Sequence, residues 1–100
     1  MVIREADTTH LFRLFLPHAS CVELRGDFTD WHDRPCVMTR DRDGWWSARV
    51  EVRPGDHRFA YLADGNRWLP DYAANGVERN EFGGWVSILT VEGVPQRLAA

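Results

Sequence analysis

Apolar and polar residues alternate with period two along most of the chain, in short runs separated by Gly, Pro, Asp and Asn. That is the pattern of β-strands with one buried face. Residues 10–16 put Phe12, Leu14 and Leu16 on one face and Leu11, Arg13 and Phe15 on the other, and Pro17 closes the run. Residues 21–25 put Val22 and Leu24 on one face and Cys21, Glu23 and Arg25 opposite. Residues 37–40 read as a short strand, followed by a hairpin turn at Asp41-Arg42-Asp43-Gly44. Residues 45–52 alternate most clearly. Trp46, Ala48, Val50 and Val52 share the inward face, and Trp45, Ser47, Arg49 and Glu51 the solvent face. After a turn at Pro54-Gly55-Asp56, residues 57–63 group Phe59, Tyr61 and Ala63 against Arg58, Ala60 and Leu62. Asp64-Gly65-Asn66 turns the chain into a very short strand at 67–69, and residues 85–91 form the last strand.

No 3.6-residue period lasts beyond about one turn. Residues 70–84, rich in Asn, Gly and Asp, read as irregular, with at most a helical turn over 71–76. About seven short strands at near-regular spacing predict an all-β fold, a β-sandwich. Its core is expected from Phe12, Leu14, Val22, Leu24, Trp46, Val50, Phe59 and Tyr61. The expected organisation is an N-terminal extension at 1–8, one module at 9–92 and a flexible tail at 93–100.

Composition narrows the function. A net charge of −3, with the twelve basic residues scattered among acids, argues against nucleic acid as a partner. No apolar stretch approaches ~18 residues, so no membrane partner is expected. Residues 1–7 have no apolar segment of the kind found in export signals, which points to the cytoplasm. Cys21 and Cys36 are then expected as reduced thiols.

The search for catalytic chemistry is largely negative. His10, His18, His32 and His57 show no metal-ligand spacing, and the two cysteines do not form a C-x-x-C pair, so neither metal nor cofactor is expected. Asp27, Asp30 and Asp33 lack the spacing of an EF-hand calcium loop and read as turn residues. Ser20, Ser47 and Ser87 lie outside any nucleophile-elbow motif, and Gly83-Gly84 outside any phosphate loop. No catalytic residue is assigned, and the chain reads as a non-enzyme.

Five tryptophans are the informative feature. Trp46 alternates with core residues. Trp31 lies in a loop and Trp68 just after a turn, while Trp45 points away from Trp46 and Trp85 opens the last strand. A surface indole usually has a partner. A pyranose ring offers an apolar C–H face for an indole and a rim of hydroxyls for polar groups, the division of labour of a small-ligand site. The residues alone leave two readings open for Trp31 and Trp68: a sugar grip, or plugs at the ends of the sandwich.

Two motifs carry a resemblance. Gly26-Asp27-Phe28-Thr29-Asp30-Trp31 resembles the G-x-F-N-x-W segment of family 48 carbohydrate-binding modules. That family includes the glycogen-binding domain of the AMP-activated protein kinase β-subunit and the early-set domains of isoamylases and branching enzymes. Pro54-Gly55-Asp56-His57-Arg58-Phe59-Ala60-Tyr61-Leu62-Ala63-Asp64-Gly65 resembles the family's G-x-Y-x-Y-K-F-x-V-D-G strand and turn. Trp68 and Asp71 follow as in the kinase module, and residues 12–17 and 86–91 resemble the first and last strands. The similarity spans residues 9–91.

The resemblance implies an immunoglobulin-like, early-set sandwich that binds α-1,4-glucan, such as glycogen or starch, without cleaving it. It implies that Trp31 and Trp68 stack on glucose rings and that Phe82 adds apolar bulk beside them. The family's lysine is Ala60 here, its asparagine Val86 and its threonine Gly84. Each lost hydrogen bond forfeits about 0.5–1.5 kcal/mol, so weak binding is expected, with Kd on the order of 0.1–1 mM. Family members that are enzymes carry a separate catalytic barrel of about 250 residues, and no activity carries over. The alternative is a protein-interaction or regulatory early-set domain that has lost its sugar. In that reading an apolar surface around Trp45, Trp85 and Val86 meets a glycogen-metabolising enzyme or a second copy of the chain.

Overall fold

The alternating runs pair into two antiparallel sheets whose apolar faces meet. The computed structural model describes residues 1–6, 8–29, 36–71, 75–79 and 84–92. One sheet has four strands in the order β1-β2-β6-β5. These are β1 (Val2–Arg4), β2 (Thr9–Phe15), β5 (Thr39–Arg40) and β6 (Trp45–Glu51). The other has six: β4 (Cys36–Val37), β3 (Val22–Gly26), β7 (Gly55–Ala63), β10 (Trp85–Val91) and β9 (Gly76–Arg79) in that order, with β8 (Arg67–Leu69) also paired to β7. A 3-10 turn at Asp27–Thr29 follows β3, and no α-helix occurs among the described residues.

Six of the eight expected core residues are buried: Phe12, Val22, Leu24, Trp46, Phe59 and Tyr61. Leu14 and Val50 are partly buried and pack against that cluster. The Phe12 ring meets Phe59 edge-on at 5.2 Å, and Phe59 meets Tyr61 at 5.8 Å. These T-shaped contacts add to what area burial supplies. The Trp46 indole N–H donates to the Leu16 carbonyl at 2.9 Å, so its polar edge is satisfied inside the sandwich.

The structure corrects the sequence reading in three places. The strand expected at 37–40 is two, because the chain crosses between sheets at Met38. Cys36 and Val37 pair with β3, Thr39 and Arg40 pair with β6, and the buried Met38 side chain fills the crossing. Residues 70–84 are not wholly irregular: Gly76–Arg79 pairs with β10. Its Glu and Arg suit an edge strand, which gains order from its neighbour rather than from burial. Within the segment read as an N-terminal extension, Val2–Arg4 pairs with β2 as another edge. The helical turn proposed at 71–76 falls mostly outside the described residues.

Two glycines are fixed by their surroundings. A Cβ at Gly26 would lie 2.8 Å from the Arg58 carbonyl oxygen, so only glycine lets β3 approach β7 there. Gly44 has φ +95°, and a Cβ would meet Pro17 at 2.7 Å. It completes the β5–β6 turn, where Asp41 Oδ1 accepts from the Asp43 and Trp45 amides at 2.8 and 3.1 Å.

Candidate carbohydrate-binding face

Side chains directly opposite one another on antiparallel strands share a face of the sheet. In β7, Phe59 and Tyr61 point into the core, so Arg58, Ala60 and Leu62 point outward. Register then assigns the rest of that face. Leu62 stands opposite Trp68 and Glu23, Ala60 opposite Arg25, and Arg58 opposite Ile88. Val86 alternates with the inward Ser87 and stands opposite Glu78.

This outward face is not a plain solvated surface. Ala60, Leu62 and Val86 are buried, with 1%, 8% and 5% of their surface exposed. Trp68 beside them is 44% exposed. Two ion pairs lie on the same face. Arg25 Nε and Nη2 donate to Glu23 Oε1 at 3.0 and 2.6 Å, and Arg58 joins Glu78. The positions at which the sequence departs from the resembled family, Ala60 and Val86, thus lie on the face that carries Trp68. The other two residues expected in the site, Trp31 and Phe82, lie outside the described residues, as do Asp30 and Asp33.

Several motif residues hold the frame. The Asp27 carboxylate accepts from the Arg58 amide at 3.1 Å and contacts His57 Nδ1 at 2.9 Å. His57 Nε2 reaches the Arg53 carbonyl at 2.7 Å. This ties the turn that leads toward residue 31 onto β7. Asp64, with φ 54°, accepts from the Ser20 and Cys21 amides at 2.7 and 3.0 Å and so ties the β7–β8 turn to the segment before β3. Asp71 is buried, and its Oδ2 accepts from the Tyr61 hydroxyl at 2.9 Å and from the amino group of Met1. Its own amide donates to Ser87 Oγ. Burial, with the Asp71 charge and hydrogen bond, pushes the Tyr61 hydroxyl far above its ordinary range. Among the described residues no three His, Cys, Asp or Glu side chains converge as metal ligands.

The surface expected around Trp45, Trp85 and Val86 is not assembled. Trp45 belongs to the other sheet, Val86 is buried, and Trp85 alternates with Val86 and so points away from it. Trp85 is 46% exposed with the Arg79 guanidinium 5.4 Å from its ring. The sequence reading missed the Arg58–Glu78 pair, because Glu78 belongs to the edge strand it did not place.

Known proteins extend these observations. The chain is similar to the 1,4-alpha-glucan branching enzyme GlgB of Salinibacter ruber, 36% identical over 59 residues. The match covers 58% of this chain and 10% of that enzyme, so the chain spans a small part of its relative's length. Its fold resembles the crystal structure of a Salmonella typhimurium protein classed with the alpha amylases, with a TM-score of 0.69 at 22% identity. That likeness covers 89% of this chain and 14% of the other, and places the sandwich among early-set, immunoglobulin-like folds. The model of carbohydrate-binding module 48, the isoamylase N-terminal domain, matches residues 2–89. The chain therefore belongs to carbohydrate-binding module family 48, a family of non-catalytic binding modules.

Proposed function

We propose that the chain binds α-1,4-glucan, glycogen or starch, weakly and by stacking glucose rings on Trp68 and Trp31. The observation that carries this reading is Trp68, 44% exposed on the outward face of the six-stranded sheet, where Leu62, Ala60 and Val86 are buried. The exposed part of that tryptophan offers apolar area to the C–H side of a pyranose. The small, apolar Ala60 and Val86 supply no hydrogen bonds, so the affinity is set by stacking and stays on the order of 0.1–1 mM. Trp31 shares the role by its place in the motif that follows Asp27. Phe82 adds apolar contact by its place before β10.

The test is retention on immobilised glycogen of wild type, Trp31→Ala and Trp68→Ala. Each substitution weakens retention while circular dichroism stays that of the wild type. Unchanged retention in both would remove the reading.

A second reading is favoured by a separate observation. Phe15 is 51% exposed and lies with Trp45 on the outward face of the four-stranded sheet, 5.2 Å between ring centres. Exposed aromatics of this kind suit protein contact, with a glycogen-metabolising enzyme or a second copy of the chain. Size-exclusion chromatography with light scattering tests the second copy, and a strict monomer at high concentration counts against it.

A further inference from the structure

The face that carries Trp68 holds a group that stacking does not use. Arg58 on β7 and Glu78 on β9 reach across β10 and join as a fork. Arg58 Nε donates to Glu78 Oε2 at 3.2 Å, and Nη2 donates to Oε1 at 3.1 Å. The side chains are 44% and 40% exposed. Such a fork uses one edge of the guanidinium and leaves further N–H groups on the other, while the carboxylate oxygens keep lone pairs. Donors and acceptors therefore stand side by side on a group of zero net charge.

That arrangement selects a ligand class. A phosphate or carboxylate would meet the guanidinium and the Glu78 charge together, with no net attraction. A pair of hydroxyls on neighbouring ring carbons both donates and accepts, and matches the fork without needing charge. Leu62, which stands opposite Trp68, is four residue steps along β7 from Arg58. At about 3.3 Å per residue the separation is about 13 Å. Ala60 and Val86 lie on the same face and are apolar and buried, so they add no hydrogen-bonding group between Trp68 and the fork.

We infer that the Arg58–Glu78 fork is a polar subsite of this face, binding vicinal hydroxyls of a sugar unit further along a chain whose first unit stacks on Trp68. The inference rests on the stacking reading above. It assigns recognition to two stages: Trp68 holds any glucose unit, and the fork rewards chain length. A disaccharide on Trp68 falls short of the fork, whereas a longer oligosaccharide engages both.

Calorimetric titration of maltose and maltoheptaose into wild type, Arg58→Lys, Glu78→Ala and Trp68→Ala tests this. Lysine keeps the charge and the aliphatic stem but cannot present a fork. An ion pair that merely steadied β9 would therefore survive in Arg58→Lys. The expected result is that Arg58→Lys and Glu78→Ala each weaken maltoheptaose by about tenfold, the loss of one or two charge-assisted hydrogen bonds. Maltose binding stays as in wild type, and Trp68→Ala loses both sugars. If both fork variants bind maltoheptaose as wild type does while Trp68→Ala loses it, the subsite is overturned and stacking stands. If Trp68→Ala binds like wild type, or wild type binds neither sugar, the stacking reading fails and the subsite with it. Circular dichroism of each variant separates loss of fold from loss of contact, and Arg58→Lys and Glu78→Ala are independent routes to the same answer.

Discussion

On the four-stranded sheet the outward indole of Trp45 packs against a cation and a phenyl ring. The Arg13 guanidinium lies 4.3 Å from the Trp45 ring centre, and Phe15 flanks the same ring. On the six-stranded sheet Trp68, 44% exposed, shares its face with the buried Leu62, Ala60 and Val86 and with two ion pairs set on β3, β7 and β9. A ligand stacking on the Arg13 side of Trp45 must displace a cation–π contact worth roughly 0.5–1 kcal/mol at an exposed site. The comparison teaches that counting exposed aromatics does not locate a sugar site. The two outward tryptophans differ in what shares their face: a guanidinium over the Trp45 ring, and two guanidinium–carboxylate pairs on the face of Trp68.

The largest effect is expected where both faces share a core. Phe12→Ala removes the ring that meets Phe59 across the sandwich, and urea unfolding should show a loss of about 3–5 kcal/mol. If the two faces depend on one core, tryptophan signals from both change at one urea midpoint. Separate midpoints would show that the sheets come apart independently.

A smaller effect is confined to the sheet that carries Trp68. Tyr61 donates to the buried Asp71, and Tyr61→Phe should cost about 1–2 kcal/mol at neutral pH. The folded state holds the Tyr61 hydroxyl well above its ordinary value of about 10. Its contribution is therefore complete below pH 10 and is lost as pH rises further, by about 1.4 kcal/mol per unit while the unfolded state alone ionises. Alkaline unfolding followed by circular dichroism should be shallower in Tyr61→Phe. An identical alkaline limb in both proteins would contradict this role.

A still smaller effect belongs to the other face. Arg13→Ala uncovers Trp45 and should cost no more than about 1 kcal/mol. Trp45 then becomes more accessible to a fluorescence quencher such as iodide, with no gain in glycogen retention. A gain would mean that the cation alone was keeping this face from sugar. The smallest effect is chemical rather than energetic. Burial pushes the Cys36 thiol above its ordinary value, while Cys21 is exposed, so a thiol reagent should label Cys21 first. Labelling of Cys36 first would contradict the pairing of β4 against β3.

Much of this frame is legible in the sequence, for identifiable reasons. The bounds of β8 and β10 follow from alternation and turn residues, and the inward set of β7 from Phe59, Tyr61 and Ala63. The edge strands β1 and β9 are not legible, because an edge strand takes its order from a neighbour and leaves little hydrophobic trace. The break at Met38 is hidden because alternation does not reveal which sheet each residue joins. Trp68 is recognisable as a surface aromatic, but only register puts it on one face with Ala60, Val86 and Arg58. Leu62, Ala60 and Val86 are outward by alternation yet buried, and period two carries no information about what shields an outward residue. Glu78 escaped because its strand did.

The most direct test is affinity electrophoresis in native gels with and without glycogen, running wild type, Trp68→Ala and Trp45→Ala side by side. The account predicts that glycogen retards wild type and Trp45→Ala alike and leaves Trp68→Ala unretarded. Retardation lost in Trp45→Ala and kept in Trp68→Ala would place sugar on the other sheet and contradict it.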